Sequence, residues 1–206
     1  MEKIKDLWLL ACKSHNKKEL CERKFEQLHL RYSEKHRHYH NWQHISFILK
    51  NIEELKLNQQ DKDKLFITTL YHDAVYNPGD KKNEEKSAAL AQKDLREIGF
   101  DNGFCAWVSQ TILITQNHNS EKGDDLQKLF CDLDLQILGS TEEEYLQYTE
   151  KIRKEYAKYP DILYRPGRRK AMESLLSKEK IFQSNEFMER YEQRARTNIS
   201  NELKQE

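Results

Sequence analysis

Apolar residues recur along this chain at intervals of three and four, the spacing that gathers them on one side of a helix. Ile45, Ile48, Leu49, Ile52 and Leu55 make one such stripe, and Leu20, Phe25, Leu28 and Leu30 fall in a helix predicted over about residues 17–32. The run from Asp61 to Tyr76 is apolar on most sides, which predicts a central helix stopped by Asn77-Pro78-Gly79-Asp80. Glu84 to Ile98 reads as a charged, alanine-rich helix closed by Gly99. Phe104, Trp107, Val108, Thr111, Ile112 and Thr115 form the next stripe. Leu126, Leu129, Phe130, Leu133 and Ile137 form another, ended by Gly139. Ser140-Thr141 before three glutamates is a helix start, with a hydroxyl cap and acids in the first turn. Pro160 and Pro166-Gly167 then punctuate the chain before a helix from about Arg168 to Leu176, and a last charged helix covers about Glu186 to Leu203. Nothing alternates with a strand period over any length, and no repeat or linker marks a boundary. The expected fold is all-α, one helical bundle over residues 1–206.

Composition narrows the class. With 206 residues, one domain can bury roughly 70% of the surface its unfolded chain exposes and needs no staples. Lys+Arg and Asp+Glu are both 35, a balance that argues against a general nucleic-acid or membrane-surface binder. Six glycines, three prolines and 34% charged residues suit a helical soluble chain. Cys12, Cys21, Cys105 and Cys131 form no paired motif and read as ordinary thiols of a reducing compartment. The apolar patch from Leu7 to Cys12 is too short for a signal core or a membrane span, so the expected location is cytoplasmic.

Three separated patches carry metal-ligand side chains: Tyr39-His40-Asn41-Trp42-Gln43-His44, Tyr71-His72-Asp73 and Cys131-Asp132-Leu133-Asp134. His40 and His44 are four apart. A helix capped by Asn41 would put His44 in the first turn facing inward, with His40 at or before the helix end. A solvated, histidine-rich surface is the competing reading of this stretch. His72-Asp73 sits in an apolar run where a bare carboxylate is costly to bury, and a metal ion would remove that cost. On a helical wheel Asp134 falls at the edge of the Leu126–Ile137 stripe and Asp132 nearly opposite. Asp134 is therefore expected inward and Asp132 outward in solvent. His118 continues the Phe104–Thr115 spacing; it reads as an acid/base or second-metal residue, or as a histidine favoured by the helix C-terminus.

The order His44, His72-Asp73, Asp134 is similar to the HD-domain superfamily of metal-dependent phosphohydrolases. The flanking motifs resemble one bacterial branch of that superfamily without an assigned substrate. They are Arg37-His38-Tyr39-His40-Asn41, His72-Asp73-Ala74-Val75-Tyr76, Asn83-Glu84-Glu85-Lys86-Ser87-Ala88, Asp132-Leu133-Asp134-Leu135 and Gly167-Arg168. The likeness covers roughly residues 25–200. It implies an HD-type fold, with a metal-site core at about 25–140 and helices 141–206 packed on it. It also implies one divalent ion (Mn, Fe, Co, Ni, Mg or Zn) held by His44, His72, Asp73 and Asp134, and hydrolysis of a phosphoester or phosphoanhydride. The histidine set of the dimetal cyclic-dinucleotide phosphodiesterases is incomplete.

Around that centre, Glu84 is the first candidate for general base or water orientation, with Glu85 in reserve and His118 competing. Glu84 also fits a helix-start acid with a dipole role. Arg37, Tyr39, His40, Tyr164 and Arg168 are candidates for substrate contact. Arg168 in particular would open a helix after Pro166-Gly167 and meet a phosphate. The expected partner is a small phosphorylated molecule, a nucleotide first, for a monomer or homodimer. A metal- or nucleotide-binding regulator without turnover is the alternative.

Overall fold

The computed structural model describes residues 1–118 and 123–205, and among them every regular element is a helix. The chain divides into two compact units, Met1–Asn119 and Ser120–Glu206. The first contains α1 (Glu2–Ala11), α2 (Lys18–Tyr32), α3 (Trp42–Glu54), α4 (Gln59–Tyr71), α5 (Asn83–Ile98) and α6 (Asn102–Thr115). The second contains α7 (Asp125–Leu135), a 3₁₀ turn (Gln136–Gly139), α8 (Glu142–Glu155), α9 (Asp161–Leu176) and α10 (Asn185–Gln205). No described helix is long and apolar enough to cross a membrane.

In the first unit α4 is the axis, packed against α3, α5 and α6. Its last seven residues, Leu65 to Tyr71, are all buried. Thr68 and Thr69 tolerate this because their hydroxyls donate to the carbonyls of Lys64 and Leu65 one turn back. Each fully buried Leu or Ile there contributes about 1.5–3 kcal/mol. All three tryptophans, Trp8, Trp42 and Trp107, belong to this unit.

The expected helix starts and stops at Asn41, Gly99 and Thr141 are present. Asn41 accepts from the Gln43 amide, Gly99 takes a positive φ of 115°, and Thr141 forms a capping box with Glu144.

Three expectations are corrected. The central helix stops at Tyr71, so His72 is its cap and Asp73 lies beyond it, not inside a helix running to Tyr76. Pro166-Gly167 does not precede a helix; α9 begins at Asp161 and runs through both residues. Proline cannot donate to the Ile162 carbonyl one turn back, but Ile162 is 79% exposed and water can take that place. Asp132 is not a solvated acid. It is fully buried, and its two carboxylate oxygens accept from the amides of Gln183 and Ser184, each at 2.7 Å, ahead of α10.

Candidate metal centre

His44 enters the core because α3 begins where it does. Asn41 caps the helix and also donates from Nδ2 to the carbonyls of Arg37 and His38. This folds residues 37–41 back onto the helix start. His44 then lies in the first turn beside Ile45 and Ile48, buried with them.

His72 arrives from the end of α4. Its amide bonds to the Thr68 carbonyl, and its ring Nδ1 lies 2.9 Å from the Thr69 carbonyl. A carbonyl only accepts, so Nδ1 carries the proton and Nε2 presents a lone pair. That is the tautomer of a metal-ligating histidine. This Nε2 lies 3.2 Å from Nε2 of His44 and 3.1 Å from Oδ2 of Asp73. The same Asp73 oxygen is 3.8 Å from His44 Nε2. The imidazoles are buried and the carboxylate is 18% exposed, so the cluster opens at the acid.

Two nitrogens and one oxygen converging in this way fit a divalent ion. Metal–imidazole bonds are about 2.0–2.1 Å long, so adjacent ligands on one ion bring their nitrogens to roughly 3 Å of each other. Among the described residues, His44 and His72 belong to a side-chain group able to hold a metal.

The turn that carries the pair is held by groups outside it. The Tyr32 hydroxyl donates to the Leu70 carbonyl at 3.2 Å. Arg37 donates from Nη1 to the Asp73 carbonyl at 2.7 Å and from Nη2 to the Ala74 carbonyl at 3.2 Å. The Ser87 hydroxyl accepts from the Val75 amide and donates to the Val75 carbonyl. The Asn83 side chain pairs in the same two-sided way with the backbone of Asn77. The carbonyls that a helix end leaves open are thus taken up by neighbours. Glu84 stands between Asn83 and Ser87 in the first turn of α5, half-buried, so it is anchored to the segment that follows the ligand pair. Glu85 is exposed.

Tyr39 and His40 belong to this neighbourhood. The Tyr39 ring centre is 4.9 Å from that of His44, and the His40 ring is 4.3 Å from Tyr76. His118 does not continue the α6 stripe. The helix has ended at Thr115, and His118 takes a left-handed φ of 45°.

Arg37 does not face outward toward a ligand. Its side chain is fully buried and donates to Glu34 and to the carbonyls of His40, Asp73 and Ala74.

In the second unit, Asp134 is half-buried on α7. Arg168 sits inside α9, its guanidinium paired with both Glu202 oxygens at 2.7 and 3.1 Å and with the Tyr148 hydroxyl. Burial alone would lower its pKa, but Tyr148 and Glu202 raise it further above the ordinary value. Arg168 therefore does not open a helix. Tyr164 packs under the Arg153 guanidinium, and burial pushes its phenol up to about 12.

Tyr32 carries no signal in the sequence, whereas Arg37, Asn83 and Ser87 stand in the motifs named above without showing that they brace the turn.

No family model matches the chain, and no curated protein or solved structure is significantly similar to it.

Proposed function

We propose that this protein is a divalent-metal-dependent phosphohydrolase of the HD-domain type. Its substrate would be a nucleotide or another small phosphorylated metabolite. One observation carries the reading: the facing Nε2 atoms of His44 and His72, 3.2 Å apart, with Asp73 beside both. Asp134 is the proposed fourth donor, the acid that the sequence pattern His44, His72-Asp73, Asp134 supplies. An ion bound there supplies Lewis acidity and a water of lowered pKa. The chain's own residues have separate tasks. Thr69 holds the His72 tautomer, Glu84 orients or deprotonates water, and Tyr39 and His40 wall the opening.

The second reading, a metal- or nucleotide-binding regulator, draws on one observation: the guanidiniums of Arg37 and Arg168 are both committed to protein groups.

The test is titration of EDTA-stripped protein with Mn²⁺, Co²⁺, Ni²⁺ and Mg²⁺, followed by a panel of nucleotides and sugar phosphates. The expected result is one tightly held ion per chain and hydrolysis of at least one phosphate. His72→Ala should lose both. Glu84→Gln should keep the ion and turn over about 100-fold more slowly. Metal uptake with no turnover anywhere in the panel favours the regulator. A folded wild-type chain that takes up none of these ions sinks the hydrolase and the metal-binding regulator alike.

A further inference from the structure

We propose that Arg37 is a positioning residue that sets the metal affinity of the centre by tying its two arms together. The inference rests on the metal reading of His44, His72 and Asp73. One arm is the segment before α3, where His40 directly precedes the cap Asn41 and so governs where His44 starts. The other is the turn after α4 that carries His72 and Asp73. A single nitrogen, Nη1, donates to both: to the His40 carbonyl at 3.0 Å and to the Asp73 carbonyl at 2.7 Å. Nη2 adds the Ala74 carbonyl at 3.2 Å, and Nε holds Glu34 Oε2 at 3.0 Å.

The guanidinium cannot swing away. Its side chain has no exposed surface, and its carbon lies 5.0 Å from the centre of the Tyr32 ring and 5.5 Å from that of Tyr76. Tyr32 in turn holds the Leu70 carbonyl of the last α4 turn. The brace is therefore built on main-chain oxygens, that of the ligand Asp73 among them, and not on the ligands' side chains. Removing it leaves every ligand in place and frees the two arms to drift apart.

Lysine cannot replace it. An ammonium is a point donor on a flexible stem, whereas the planar fork meets several fixed carbonyls at once and stacks on rings. Groups outside the ligand set that orient metal ligands are worth about 10- to 100-fold in metal affinity.

The experiment titrates EDTA-stripped wild type, Arg37→Lys and Arg37→Ala with Co²⁺ in a calorimeter. Circular dichroism confirms that each variant is folded at the titration temperature. Wild type should bind one ion. Folded Arg37→Lys should bind at least about tenfold more weakly, within the range for such orienting groups. Ethylguanidinium should restore affinity to Arg37→Ala, and ethylammonium at the same concentration should not. A residue that only stabilises the fold would lower the melting temperature and leave the affinity of the folded variant unchanged. If Arg37→Ala does not fold, Arg37→Lys carries the comparison. Wild-type affinity in folded Arg37→Lys overturns the inference and spares the metal reading. A wild type that takes up no ion overturns both.

Discussion

Lys24 and Asp94 put opposite charges inside the first unit, at side-chain exposures of 9% and 4%. The ammonium lies 2.6 Å from Asp94 Oδ1 and 2.7 Å from Glu97 Oε2, and the buried Tyr71 hydroxyl donates to the other Asp94 oxygen at 3.3 Å. Burial pulls the Lys24 pKa down, but its bonds to Asp94 and Glu97 outweigh that and raise it. Burial, and then Asp94, push the Tyr71 phenol well up. Both groups hold their protons more tightly folded than unfolded. Their contribution is therefore complete below their ordinary values of about 10 and is lost as pH rises past them. Urea unfolding should show this pair costing nothing from neutral pH to about 10 and stability falling above it. Lys24→Met strands the Asp94 carboxylate and should destabilise at neutral pH by about 3–5 kcal/mol. An unchanged urea midpoint would mean that the pair is no more than a surface contact.

At the scale of elements, helix ends decide where functional groups go. Gly99 ends α5 with a φ of 115°, and its amide and that of Phe100 both bond to the Leu95 carbonyl. An added Cβ would meet His15 Nδ1 at 3.4 Å, an ordinary contact. The cost of Gly99→Ala is thus backbone strain alone, about 1–2 kcal/mol, readable as a lower melting temperature. Such ends were legible in the sequence where one residue does the work locally, as at Asn41, Gly99 and Thr141. They were not legible where a distant group does it. Nothing within the Leu65–Tyr76 run says that Arg37 will draw the Asp73 and Ala74 carbonyls out of a helix. Pro166-Gly167 looked like a break because a wet, exposed helix edge cannot be seen from residue types. The burial of Asp132 was not legible because a wheel drawn for one buried face ignores a second face covered by the segment before α10. The inward turn of His44 was readable because an apolar stripe and a cap agreed on it.

At the scale of the whole molecule, an ion that binds only the folded chain stabilises it by mass action. At a free concentration of about one hundred times its Kd, the gain is about 2.7 kcal/mol. Differential scanning calorimetry with Mn²⁺ or Co²⁺ should show the transition rising with ion concentration in wild type and standing still in His72→Ala. A rise of equal size in both proteins would place the bound ion elsewhere. The two compact units need not respond alike, and the chain carries a means of telling them apart. Its indoles are confined to one unit, and Trp42 stands two residues before His44. Intrinsic tryptophan emission therefore follows only the half with the histidine pair, while ellipticity follows both. Comparing the two signals resolves the melting of each half in an unlabelled protein.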